Sequence, residues 1–170
     1  SEDIVDQKAY VDSPRKLSAE EALLYAWYNC SLRKWLNEDF YEAAFSTEEQ
    51  AAIKTTHVKN ENEEIYNYTG LWEKADKGQD TEDKIYLLSY KDSINNQYGF
   101  SQCEKKTDTA RNVGTDYYMM TSQAGNVYNV KSSPYSGQIW GSVIGSNGTT
   151  LDCTAVLGVR PVMHVDLSKL

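Results

Sequence analysis

Apolar residues recur at positions 32, 35, 36, 40, 43 and 44, in the stretch Cys30-Ser31-Leu32-Arg33-Lys34-Trp35-Leu36-Asn37-Glu38-Asp39-Phe40 and on through Ala43-Ala44-Phe45. A repeat of about 3.6 residues predicts a helix with one wide apolar stripe. Trp35 and Phe40 are the largest groups on it and are the expected core anchors, while Arg33 and Lys34 lie off the stripe. Upstream, Ser18-Ala19-Glu20-Glu21 matches a capping box and predicts a helix through Leu23-Leu24-Tyr25-Ala26-Trp27. Asn29 or Ser31 is placed to cap the helix that follows. Ser46-Thr47-Glu48-Glu49 is a second capping box and opens a short helix from Thr47 to Ile53. Two or three helices are therefore expected within residues 18–54.

Helical periodicity then stops. Residues 1–17 read as irregular, with a possible short strand at Ile4-Val5, and Pro14 disfavours helix just before it. Val58 marks a short strand. Residues 59–84 are polar and read as a long surface excursion, in which Tyr66, Tyr68 and Trp72 are the aromatic exceptions. Ile85-Tyr86-Leu87-Leu88-Ser89 is an apolar run of strand length. Residues 90–116 read as loop and turns. Tyr117-Tyr118-Met119-Met120-Thr121 and Ile139-Trp140-Gly141-Ser142-Val143-Ile144 are strand candidates. Asn147-Gly148 is a hairpin signal, with Thr149 to Cys153 as the returning strand. Ala155 to Val159 and Val162 to Val165 form a last strand broken at Pro161, which lacks a ladder donor. Helices first and strands later, without a βαβ rhythm, predict an α+β class in a single domain spanning residues 1–170.

Charge narrows the function. Acidic residues number 25 against 17 basic ones, for a net charge of −8. Nucleic-acid binding needs basic stripes, so it is excluded as a class. An anionic membrane surface is disfavoured for the same reason. No apolar run approaches the roughly 18 residues that span a bilayer, so no membrane insertion is expected. Ser1-Glu2-Asp3-Ile4 does not read as a signal peptide, so an exported form is expected to have lost its signal or to carry it elsewhere. Acidic excess suits an extracellular or cell-surface location.

No catalytic set is present: H-E-x-x-H, G-x-S-x-G and phosphate-loop patterns are all missing. His57 follows Thr55-Thr56 near a helix end and His164 lies in a terminal strand, so both read as structural or surface residues. Cys30, Cys103 and Cys153 are too widely spaced for a zinc ribbon or a redox pair. One disulfide plus a free thiol and three buried thiols are both compatible with the count, and reduced, buried thiols are favoured. The acidic run from Asp76 to Asp83 lacks calcium-loop spacing, so no metal and no cofactor are expected. Arg33 and Arg160 are charged residues lodged in core-like segments. They read as structural clamps, since a planar guanidinium suits a carboxylate or several carbonyls.

Tyrosine is enriched, at 13 against 3 Phe. Tyrosine combines an apolar face with a polar tip and suits half-wet surfaces as well as sheets with one solvated face. Segment 123–142 mixes Gly, Ser, Asn, Tyr and Trp, a composition like that of binding loops. Trp72, Tyr117, Tyr118, Tyr128, Tyr135 and Trp140 are the ligand-binding candidates. An inward-facing strand position is the alternative for Tyr117 and Trp140.

Three motifs carry a resemblance. They are Ser31-Leu32-Arg33-Lys34-Trp35-Leu36-Asn37 with Phe40, Ala44-Phe45-Ser46 and Glu49; Asp83-Lys84-Ile85-Tyr86-Leu87-Leu88-Ser89; and Gly158-Val159-Arg160-Pro161. In order and spacing the chain resembles an uncharacterised domain family of secreted or surface proteins from gut-type Gram-positive bacteria, over residues of about 3 to 167. Its ending is more distantly similar to that of formylglycine-generating enzymes and of bacterial C-type-lectin-like variable proteins. That similarity implies a C-type-lectin-like fold, with helices packed on a twisted antiparallel sheet and a loop-rich ligand face. Two departures stand out. Tyr117-Tyr118-Met119-Met120-Thr121-Ser122 replaces a Trp-Trp-Leu-Arg-Ser-Pro-type motif, so no role passes from that Arg. The family's two opening strands are not found upstream, which fits a fragment of a larger surface protein or a divergent member.

The calcium-binding Glu-Pro-Asn and Trp-Asn-Asp patterns of true C-type lectins are missing. The cysteine pair of formylglycine-generating enzymes has a counterpart in Cys103 and Cys153 only if they meet in space, and nothing local activates either one. The expected function is thus a non-enzymatic binding module for a glycan or a surface protein. A spacer domain without a ligand is the alternative, and an enzyme of the formylglycine-generating type is a distant third. Nothing in the pattern specifies an oligomeric state.

Overall fold

The helix expected at residues 30–45 forms with a change of pitch that moves its buried face. A computed structural model describes residues 6–8, 26–59, 64–66, 72–74, 79–103, 106–123, 126–130, 132, 134–141 and 156–170. After a strand, β1 (Asp6–Lys8), the description resumes at a 3-10 turn, Trp27–Asn29. Helix α1 (Ser31–Trp35) runs into a π turn at Leu36–Phe40 and on into α2 (Tyr41–Ala44). Its N-cap is neither Asn29 nor Ser31 but Cys30, whose Sγ accepts from the Arg33 amide at 3.3 Å. The π turn inserts one residue into the helical repeat. Leu32 and Leu36 are buried as the spacing requires, but the next buried residue is Tyr41. Trp35 and Phe40 are only half-buried, and Ala43 and Ala44 are exposed. Trp35, Phe40 and Phe45 instead form a ring ladder along the flank, with centroids 5.1 and 5.8 Å apart. Helix α3 (Thr47–Ala52) starts at the expected capping box, with reciprocal bonds between Ser46 and Glu49. The helix expected from Ser18 to Tyr25 lies outside the described residues, as do Ile4-Val5 and the Asn147-Gly148 hairpin.

The strands that follow are short. They are β2 (Ile53–Lys54), β3 (Thr56–Val58), β4 (Glu64–Tyr66), β5 (Trp72–Lys74), β6 (Thr81–Asp83) and β7 (Tyr86–Leu87). After α4 (Tyr90–Ser93) come β8 (Tyr117–Gln123), β9 (Asn126–Val130), β10 (Ile139–Gly141), β11 (Leu157–Val159), β12 (Pro161–Val162) and β13 (His164–Val165). The main sheet has the order β1-β11-β8-β9-β10. Its β11–β8 junction is parallel, which departs from the all-antiparallel expectation. Four two-stranded ladders complete the sheet structure among the described residues: β12-β7, β13-β2, β3-β6 and β4-β5. The class is α+β.

Tyr117 to Met120 of β8 are apolar without alternation because this part of the strand is buried on both faces. Tyr118 and Met120 join a core with Trp27, Leu32, Leu36, Tyr41, Ile85, Leu87 and Val159. Tyr117 and Met119 join a second one with Tyr90 and Ile139.

Beside the second core lies Arg111, at 0% exposure. Its Nε donates to the Gly137 carbonyl at 2.7 Å. One terminal nitrogen donates to the carbonyls of Ser93 and Ser101, and the other to those of Cys103 and Lys106. A guanidinium has five N–H donors, and here each has a carbonyl. Asp108 sits 3.2 Å from the same group and accepts from the amides of Ser101, Ala110 and Arg111. Desolvation works against the Asp108 carboxylate, but those amides and the Arg111 charge outweigh it and lower its pKa. Gly137 has φ +87° and lies so close that a Cβ there would meet the Asp108 carbonyl oxygen at 2.1 Å. The loop between α4 and β8 is thus folded around one side chain.

Removing that side chain takes the donor from five carbonyls and the charge partner from buried Asp108. Arg111→Ala is expected to lose about 3–5 kcal/mol in urea unfolding. Arg111→Lys is expected to recover little, because an ammonium has three donors and no planar fork. A Lys variant as stable as the parent would contradict the five-carbonyl account.

Candidate functional site

The three motifs found in the sequence meet in space. Asp83, whose side chain is fully buried, accepts from Trp27 Nε1 at 2.9 Å, Arg33 Nε at 2.7 Å and Thr81 Oγ1 at 2.7 Å. Arg33 also donates to the Tyr28 carbonyl. Asn37, one turn along the helix, accepts from the amides of Lys84 and Ile85 and donates to the carbonyls of Arg33 and Ile85. So Arg33 and Asn37 of the first motif both grip the start of the second. The second motif then pairs with the third, Leu87 opposite Pro161 and Tyr86 opposite Val162. The expected break falls at Arg160, between β11 and β12, and Pro161 is the first residue of the two-residue strand β12.

Arg160 bonds a backbone carbonyl and a tyrosine hydroxyl. It donates to the Ala110 carbonyl and to Tyr117 Oη, both at 3.1 Å, and lies over the Tyr117 ring. Tyr117 in turn donates to the Arg111 carbonyl at 3.0 Å. Burial pushes the Tyr117 phenol up, against the lowering effect of Arg160, so the hydroxyl keeps the proton it donates. A chain of bonds therefore runs from the third motif through β8 to the Arg111 loop. These buried charges are engaged by protein groups. Their arrangement positions backbone.

The aromatic candidates separate. Tyr117 and Tyr118, at 1% exposure each, are core residues with no open ring face, because β8 is covered on both sides. Tyr135 is exposed, at 42%. Trp72, Tyr128 and Trp140 fall on β5, β9 and β10, and their side chains lie outside the described part. By register Trp140 stands opposite Asn129, which stands opposite Tyr118, and Tyr128 stands opposite Gly141. Sequence reasoning missed Tyr98, 60% exposed on a 3-10 turn (Asn96–Tyr98) that ends at Gly99 with φ +83°. It also missed Arg111, whose only local signal is the Asp108-x-x-Arg111 spacing.

His57 is on β3 rather than at a helix end, and its two ring nitrogens contact Glu82 Oε1 at 2.6 Å and Asp80 Oδ2 at 3.2 Å. His164 is exposed on β13, with Thr56 Oγ1 at 3.0 Å from Nδ1 and Tyr86 Oη at 3.4 Å from Nε2. Cys30 and Cys103 are free thiols. Cys30 is buried, but Cys103 is exposed, against the expectation of buried thiols. Cys153 lies outside the described residues. Among the described residues no group of three His, Cys, Asp or Glu side chains could hold a metal ion. No helix among them is long and apolar enough to cross a membrane.

A family model described as a domain of unknown function (DUF6273) matches residues 4–167. No curated protein and no solved structure matches the chain.

Two measurements check this geometry. Asp83→Ala leaves Trp27 and Arg33 without their shared acceptor and is expected to cost about 3–5 kcal/mol. Combined with Arg33→Ala it should be non-additive by about 1–3 kcal/mol, and strict additivity would mean that the pair is not coupled. In thiol titration of the native protein, Cys103 should react at once and Cys30 only after denaturant is added. Equal rates for the two would contradict the burial of Cys30.

Proposed function

The chain belongs to the DUF6273 family, a family of domains of unknown function, and we propose that it is a non-catalytic extracellular binding module of a bacterial surface protein. Its ligand is a glycan or a protein, met by aromatic side chains on loops of a C-type-lectin-like scaffold. One observation carries the reading: two exposed tyrosines stand on loops tied to the same buried hub. The Tyr98 loop is held where Ser101 donates to Asp108 and accepts from Arg111. The Tyr135 turn is held where Ser136 accepts from the Asp108 amide and Gly137 from Arg111. A pre-ordered loop loses little entropy on binding, and tyrosine offers a large contact area at low rotamer cost. The bonding of Arg111, Asp108 and Asp83 to groups within the protein favours binding over catalysis.

A spacer without a ligand is the second reading. It is favoured by the convergence of all three motifs on internal packing rather than on a surface.

A glycan array and a surface-protein pull-down, run with the parent, Tyr98→Ala and Tyr135→Ala, separate the two. A binding module predicts a ligand whose affinity falls about tenfold or more in at least one variant. Clean negatives for a folded parent would establish the spacer. A ligand indifferent to both substitutions would move the site elsewhere.

A further inference from the structure

We propose that His57 is a pH-dependent clasp across the neck formed by β3 and β6, the strand pair that flanks residues 59–79 in the chain. The observation is independent of the proposed binding face. Strands β3 and β6 are the two sides of the neck, paired Thr56 with Asp83, His57 with Glu82 and Val58 with Thr81. The chain leaves at Val58, carries the β4–β5 ladder, and returns at Asp80. Strand β6 alternates: Thr81 and Asp83 are buried, Glu82 is exposed. Its inner face is the Asp83 cluster that holds Trp27 and Arg33, and its outer face meets His57.

The geometry selects one protonation state of the imidazole. Nδ1 faces Glu82 and Nε2 faces Asp80, so both ring nitrogens point at carboxylates. Only an imidazolium donates from both nitrogens at once. A neutral ring donates from one nitrogen and turns the lone pair of the other toward a carboxylate. The charged groups facing His57 among the described residues are Glu82 from β6 and Asp80 from the segment leading into it. Lys59, two residues farther along the chain, is the nearest cation in sequence. Each carboxylate takes one ring nitrogen, and among the described residues no group of three His, Cys, Asp or Glu side chains could hold a metal ion.

The His57 pKa is raised above its ordinary 6.5, chiefly by the hydrogen bond to Glu82, with burial opposing and the Glu82 and Asp80 charges and the Asp80 hydrogen bond assisting. The sign follows. A group whose folded pKa is raised contributes stability that is complete below its unfolded value and is lost as pH rises through the folded value. The neck is therefore closed where the imidazole is protonated and the two carboxylates are ionised, and it loosens as pH rises through the raised His57 value, while Asp83 keeps β6 attached to the core. All three side chains are exposed, so the contribution is modest and salt-sensitive.

The test is an NMR titration of the full chain, following the His57 ring and the amide exchange of β3 and β6 across and above the range of about pH 5–8. The parent, Asp80→Asn/Glu82→Gln and His57→Gln are compared. In the parent, neck protection, corrected for intrinsic exchange, should fall roughly two- to fivefold in step with the His57 titration. The carboxylate double variant should titrate lower than the parent and lose that step. His57→Gln should keep the low protection at every pH. An unchanged His57 midpoint in the double variant, or the same pH step in His57→Gln, would overturn the proposal.

Discussion

Asp83 is where the fold is tied together. A carboxylate removed from water is strongly unfavourable unless its charge and lone pairs are met, and here an arginine, an indole N–H and a hydroxyl meet them. The three donors come from separate stretches: the 3-10 turn, helix α1 and the residue two before Asp83 itself. The requirement to satisfy one buried charge fixes where the helix, the turn and β6 sit relative to one another. Asn37 extends the grip by two residues, using both ends of its amide on the backbone of 84–85. With β6 and β7 so placed, β12 pairs beside β7, and Val159 enters the same core as Leu32 and Leu36.

A second hub works by different chemistry. Arg111 collects carbonyls from the end of α4, from the segment that precedes Arg111 in the chain and from Gly137, where a helix or strand would have satisfied them along the backbone. The two hubs are linked through β8, one of whose faces packs on each core, and through the bonds from Arg160 to Tyr117 to Arg111. Surface features then inherit their rigidity. The Tyr98 and Tyr135 loops stand on the Arg111 hub, and the His57 neck stands on the outer face of the strand that carries Asp83.

Much of the scaffold was legible in the sequence. The capping box at Ser46 and the mixed α+β class followed from local pattern, although β1 precedes the helices and α4 falls among the strands. What escaped has a common cause. The π turn between Leu36 and Phe40 lies where Asn37 bonds the distant bend at Lys84 and Ile85, and a period count assumes the regular helix, so Tyr41 was not expected inside. Arg111 finds its partners in backbone carbonyls, which leave no trace in residue identity. Tyr117 and Tyr118 looked like ligand platforms because tyrosine suits wet surfaces, but a strand covered on both faces has none. Cys30 took the cap from Asn29 and Ser31 because its sulfur faces the Arg33 amide, a choice that composition does not encode.

The central claim is that the three motifs form one cooperative unit around Asp83. Native-state hydrogen exchange in low denaturant tests it most directly, by comparing opening free energies for amides in residues 32–37, 84–88 and 157–162. A single unit predicts that all three segments merge into one opening isotherm that coincides with global unfolding. If the 157–162 segment opens separately, at lower denaturant and with a smaller slope than the other two, the motifs are neighbours without being one unit, and the account is wrong.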